Sequence, residues 1–166
     1  AAAAEPGPLF LPYLTGERTP HGDTTIRGGF AMLGETTTHG SLMRGVVEAI
    51  AFTFADAVAA LEAAGTSPGT LLCVGGGARS DLLVQMIADV TGCPIGRGDG
   101  AEVGPALGAA RLALCAAEGA EPADMLAKPA ITRVFEPRTD PSGRVAKRLA
   151  AFRALYPALR SVQQLA

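Results

Sequence analysis

Long apolar runs are missing from this sequence: none reaches the roughly 18 residues that a membrane-spanning helix needs, so no membrane association is expected. An excess of charge of either sign is missing too. The formal net charge is −2, which provides no general attraction to nucleic acid or to anionic lipid. The opening Ala-Ala-Ala-Ala-Glu-Pro-Gly-Pro lacks the basic start and apolar core of a signal peptide. Residues 1–8 read as a linker or frayed end, and the expected location is the cytoplasm. Cysteine is scarce, with Cys73, Cys93 and Cys115 widely spaced. No CxxC pair and no histidine at ligand spacing accompanies them, which excludes a disulfide framework and a zinc site. They read as small buried apolar residues in a reducing compartment.

What is present is apolar and patterned. Hydrophobic residues make up 48% of the 166 residues and charged residues 18%, enough to build a core in one domain over residues 9–166. Residues 9–41 are irregular, punctuated by Pro12, Gly16 and Pro20; so long a stretch is expected to be functional or packed against another domain. Leu42, Val46, Ile50, Phe54, Val58 and Leu61 recur at helical spacing over residues 42–64, with Gly65 placed to cap the end. Residues 70–95 read as a βαβ-like unit: a strand at 70–74, a glycine turn, a helix capped by Ser80 and ended by Gly92, then a strand starting at 93–95. A helix follows from Pro105 to Glu118. Its small face, Ala106, Gly108, Ala109, Ala110 and Ala113, is expected to pack tightly against a sheet or another backbone. A strand over 131–135 and a last helix complete the pattern, with Pro157 predicting a kink or break near Ala154. The fold class is α/β.

Chemistry concentrates at Gly75-Gly76-Gly77-Ala78-Arg79-Ser80, between a strand and a helix. Three glycines bare one backbone face. The helix start beyond them directs unpaired N–H groups and partial positive charge at whatever sits there. A nucleotide suits such a place; a tight turn without ligand is the plainer alternative. The pattern is neither GxGxxG nor GxxxxGK[ST]. Gly96-Arg97-Gly98-Asp99-Gly100 offers a second flexible loop, on the side of an open α/β sheet where ligands gather. Asp23, Asp56, Asp81, Asp89 and Asp99 have no evident partner, and Asp56 is placed at a helix margin. His21 and His39 lie in the irregular region and read as solvated or structural. Arg18 could bind an anion; the plainer expectation is that it pairs with Glu17 or Asp23. No Ser/His/Asp or Cys/His constellation emerges.

Taken together, these motifs resemble the FGGY family of carbohydrate kinases. Residues 10–21, Phe-Leu-Pro-Tyr-Leu-Thr-Gly-Glu-Arg-Thr-Pro-His, resemble a segment of its xylulokinase branch. Arg27-Gly28-Gly29-Phe30 through Glu48 is similar to a family signature, and Gly75–Ser80 followed by Gln85 and Ala88-Asp89 resembles its adenosine-binding turn. Residues 103–113 match the branch's next helix, and Leu155-Tyr156-Pro157 its usual ending. Three positions depart: Met32 stands where the signature has Gly, Ser41 where it has His, Glu, Asp, Asn or Gln, and Gly45 where it has Ala or Ser.

The resemblance implies an actin-like, ribonuclease-H-like lobe that is a partial C-terminal domain of a sugar kinase. It implies ATP and Mg2+ as cofactors, a pentulose such as D-xylulose as substrate, and phosphoryl transfer governed by positioning and charge neutralisation. Gly75, Gly76, Gly77 and Ala78 would cradle the adenosine and adjoining phosphate; Ser80 and Asp81 would touch ribose or adenine. The helix at 104–113 would support that floor. No catalytic residue is expected in this chain, because the catalytic aspartate and most sugar ligands would belong to an N-terminal kinase lobe upstream of Ala1. The chain alone is therefore expected to be inactive. Sister kinases for another polyol or sugar acid, and a non-catalytic interaction module, remain alternatives. The oligomeric state stays open, a homodimer included.

Overall fold

The computed structural model describes residues 7–119 and 130–165. Their contacts divide the chain into two compact units: one built from residues up to Pro68 together with those from Arg138 onward, the other from Gly69–Pro137. Of the linker expected at 1–8, residues 1–6 lie outside the described residues.

The first unit opens with two short strands where the sequence suggested irregular chain. β1, Leu9–Leu11, pairs antiparallel with β2, Gly29–Ala31, bringing Phe10 opposite Phe30. Strands of three residues are too short to display an alternating pattern, which is why the sequence hid them. Helix α1, His39–Ala63, starts from a reciprocal cap: Thr38 Oγ1 accepts from the Ser41 N–H, and Ser41 Oγ accepts from the Thr38 N–H. A serine thus does at the third helical position what an acidic or amide side chain does in the usual capping box.

The buried face of α1 overlaps the expected stripe only at Val58. Phe54 and Leu61 are exposed, while Gly45, Ala49, Phe52 and Asp56 face inward. Small residues govern this choice: a Cβ added at Gly45 would lie 2.8 Å from the Pro8 carbonyl oxygen, so the chain crosses α1 where it has no side chain. The last helix, α4, spans Arg144–Gln163 without the break expected near Ala154. Pro157 is exposed and cannot donate to the Arg153 carbonyl, yet the helix runs through it. Phe152 of α4 is fully buried against Phe52, with ring centroids 5.3 Å apart.

Arg148, also on α4, is buried and ties this unit together. Its Nε donates to both carboxylate oxygens of Glu48 at 2.8 Å, and its Nη1 and Nη2 donate to the carbonyls of Gly7 and Pro8 at 3.0 and 3.3 Å. Nη2 also bonds Glu48 Oε2. Nearby, Asp56 is not marginal: it is buried on α1 and accepts from Arg153 Nε at 2.7 Å.

The second unit carries a three-stranded sheet in the order β3-β4-β5. β3, Leu71–Leu72, runs parallel to β4, Ile95–Gly98; β4 runs antiparallel to β5, Ile131–Phe135, with an irregularity at Arg97/Gly98. Between β3 and β4 lies α2, Asp81–Thr91, ended by Gly92 in the left-handed conformation. Gly96, Arg97 and Gly98 therefore belong to a strand, and the loop expected at 96–100 narrows to Asp99 and Gly100. The main chain there already has partners on both sides, which a glycine-rich reading does not reveal. Helix α3, Gly104–Glu118, ends at Gly119 as expected. Its small face does not pack as expected: Ala106, Ala109, Ala110 and Ala113 are exposed, and space around Gly108 is open. Of the helix's two glycines, close approach occurs at Gly104, where an added Cβ would lie 3.1 Å from Val74. Small residues permit tight packing, but within this unit no described element covers that face. No helix among the described residues is long and apolar enough to cross a membrane.

Candidate nucleotide-binding turn

The turn after β3 is built by the sheet beneath it. The Cys73 N–H donates to the Gly96 carbonyl at 2.9 Å, and the Gly75 N–H to the Ala101 carbonyl at 2.7 Å. Gly75 adopts φ 93°, ψ 178°, a backbone conformation essentially confined to glycine. From there the chain enters a single 3-10 turn, Gly76–Arg79, in which Ala78 N–H donates to the Gly75 carbonyl. Ser80 then caps α2, its Oγ accepting from the Leu83 N–H at 3.3 Å.

A Cβ placed on Gly75 or Gly76 meets nothing within 4 Å. On Gly77 it would just touch Leu83 Cδ2 at 3.4 Å, and Ala78 is fully buried as the floor of the turn. The bare backbone thus opens on free space at its first two glycines. The leading N–H groups of such a turn lack partners within it, which suits a polar ligand.

Asp81, the first residue of α2, stands beside this backbone. Its Oδ1 accepts from Arg97 Nη1 at 2.7 Å and its Oδ2 from Arg133 Nη1 at 2.5 Å. The two guanidinium bonds, Arg97's first, hold the Asp81 carboxyl below the usual carboxylate range. Two cavities share the border Gly98, Asp99 and Gly100, and the polar one reaches the turn at Ala78 and Arg79. One, of about 420 Å³, is polar and lined by Ala78, Arg79, Asp81, Arg97 and Thr132. The other, of about 400 Å³, is apolar and lined by Leu72, Cys73, Val74, Leu107 and Arg111. Burial pushes the Cys73 thiol up, partly opposed by the charge of Arg97.

The polar cavity thus brings Ala78, Asp81 and Asp99 together, while Gly75, Gly76, Gly77 and Ser80 adjoin Ala78 and Asp81 along the chain without lining either cavity. The other acids and both histidines lie elsewhere. Asp89 accepts from Gln85 Nε2, which also donates to the Glu136 carbonyl. Asp23, in the first unit, accepts from Thr25, from the Ile26 N–H and from the Tyr156 hydroxyl. Glu17 accepts from the His21 and Gly22 N–H groups, so neither acid pairs with Arg18. His21 stacks flat on Tyr156, centroids 3.6 Å apart, and His39 begins α1. Among the described residues no group of three or more His, Cys, Asp or Glu is placed to hold a metal ion. Arg133 and Thr132 were missed from the sequence; their only signal was polar residues inside an otherwise apolar strand.

This arrangement can be compared with known proteins. The sequence model for the C-terminal domain of the FGGY family of carbohydrate kinases matches residues 1–117. Xylulose kinase of Escherichia coli is 46% identical over 110 residues, 65% of this chain and 22% of that protein. A glycerol kinase of Citrifermentans bemidjiense is 38% identical over 135 residues, 81% of this chain and 27% of that protein. The solved structure of a xyloylose kinase from Brucella ovis superposes with a TM-score of 0.77 at 39% identity, covering 95% of this chain and 33% of that one. The chain therefore spans between a fifth and a third of the length of these relatives.

Proposed function

Because the chain belongs to the FGGY family of carbohydrate kinases, we propose that it forms the adenosine-binding side of the cleft in an ATP-dependent xylulokinase. The whole protein would convert D-xylulose and ATP to D-xylulose 5-phosphate and ADP, in the cytoplasm, as a step in xylose use. The observation that carries this reading is the Gly75–Ala78 turn, whose main chain is bare, takes a glycine-only conformation at Gly75 and is open to free space at Gly76.

Gly75, Gly76, Gly77 and Ala78 would cradle the adenosine and adjoining phosphate through the main chain. Ser80 and Asp81 would approach ribose or adenine, Asp81 from the wall of the polar cavity. Mg2+ would arrive with the phosphates and neutralise their charge during transfer. A companion N-terminal lobe would bring the catalytic aspartate and most sugar contacts, so this chain alone would release no ADP in the presence of sugar. The glycerol kinase relative favours one second reading, a sister kinase for another polyol.

The test is a thermal melt of the chain with and without MgADP, for wild type and Gly76→Val. The open space at Gly76 lets the variant fold while its side chain occupies the ligand's place. A rise with MgADP in wild type alone supports the turn as the nucleotide site. A wild-type melt indifferent to MgADP counts against it. A sugar panel containing D-xylulose and glycerol, assayed on the whole enzyme, separates the two substrate readings.

A further inference from the structure

Arg97 lies on β4, yet its side chain acts on the turn after β3. A single nitrogen, Nη1, donates to the Ala78 carbonyl at 2.8 Å and to Asp81 Oδ1 at 2.7 Å. Its guanidinium carbon lies 5.2 Å from the centre of the buried Phe135 ring, and its own carbonyl accepts from Thr132 Oγ1 at 3.1 Å. Arg133 lies over the same ring at 4.3 Å and holds the other oxygen of Asp81, without reaching Ala78. Two strands therefore converge on α2's first residue, but only Arg97 also grips the glycine turn itself. Ala78 is the sole residue of the turn that is buried. The Ala78 N–H in turn donates to the Gly75 carbonyl at 3.0 Å, so a bond that holds Ala78 in place bears on the bare backbone at Gly75 and Gly76.

We propose that Arg97 is a positioning residue for nucleotide binding, holding the glycine turn in one conformation through the Ala78 carbonyl and Asp81. This role rests on the reading of the turn as the nucleotide site. Arg97 would touch no reacting atom, so its effect belongs on nucleotide affinity rather than on the transfer step. Lysine could donate to one or both acceptors but has no planar group to lay over Phe135.

The experiment compares wild-type whole enzyme with Arg97→Ala, Arg97→Lys and Arg133→Ala. It measures amide exchange over residues 75–80 without nucleotide, and KM for MgATP, KM for sugar and kcat. Arg97→Ala is expected to speed exchange in the turn and raise KM for MgATP about tenfold. KM for sugar and kcat should stay within about twofold. Arg97→Lys should recover part of the loss, and Arg133→Ala should show a smaller effect. Turn exchange unchanged in Arg97→Ala, with wild-type MgATP affinity intact, overturns this role alone. Equal rises in both KM values, tracking a lower Tm, also overturn it by showing a merely structural part. A wild type with no MgATP affinity overturns the nucleotide reading and this role with it.

Discussion

Met32 has φ 61°, the one non-glycine residue with left-handed backbone among those described. That is where the family signature carries glycine, so the departure noted in the sequence carries a backbone cost. A left-handed conformation costs an L-residue about 1–2 kcal/mol, and the Met32 side chain, 66% exposed, gains little burial in return. Met32→Gly should therefore stabilise the protein by about 0.5–1 kcal/mol after the greater freedom of an unfolded glycine is subtracted. Urea denaturation would read the change. Asp23 supports a second expectation. Hydrogen bonds from Thr25 hold its carboxyl well below the usual value of 3.8, outweighing its desolvation. A depressed carboxyl contributes stability that is present above the unfolded value and lost as pH falls through the folded one. Asp23→Asn should accordingly flatten the decline of Tm below about pH 4, with wild type falling more steeply. At this scale the sequence revealed Gly75–Ala78 and Ser80 because turn and cap chemistry is local. It could not reveal the partners of Asp81, which lie 16 and 52 residues away.

Caps and core ties decide the elements. Ser80 provides the only side-chain cap of α2, so Ser80→Ala should cost about 1 kcal/mol, read as a lower denaturation midpoint. The Glu48–Arg148 pair joins α1 to α4 and to the chain entering β1. Arg148→Met would strand a nearly buried carboxylate, with an expected loss of about 3–5 kcal/mol. The double change Glu48→Leu with Arg148→Met should recover most of that loss, since it removes both charges together. A double-mutant cycle by chemical denaturation measures the difference. Elements were legible where their signals are local: β5 spans the expected 131–135, and Gly92 and Gly119 end their helices. They were misread where long-range packing overrides pattern. The α1 face turned toward Gly45 and Ala49 because the Pro8 carbonyl needs that approach, and the stripe of larger residues lost to it.

For the molecule as a whole, a ligand that binds only the folded state raises Tm by mass action. MgADP at about one hundred times its Kd should add about 2.7 kcal/mol, or about 5–10 °C for a chain of this size. Gly76→Val should show about none of this rise if the turn is the site. One further consequence comes from the way the chain is threaded. The unit that carries the glycine turn is a single continuous stretch, whereas the other is assembled from both sides of it. During synthesis the first of these can close as soon as its own residues emerge. The second must wait: Glu48 leaves the ribosome 100 residues ahead of the arginine that neutralises it, roughly 5–20 s at ordinary translation rates. Through that interval Phe52 also lacks Phe152, so a stalled or truncated nascent chain presents an unpartnered aromatic and an unanswered acid on α1. Chaperone capture and proteolysis should therefore fall on α1, even while the continuous unit synthesised after it has already closed.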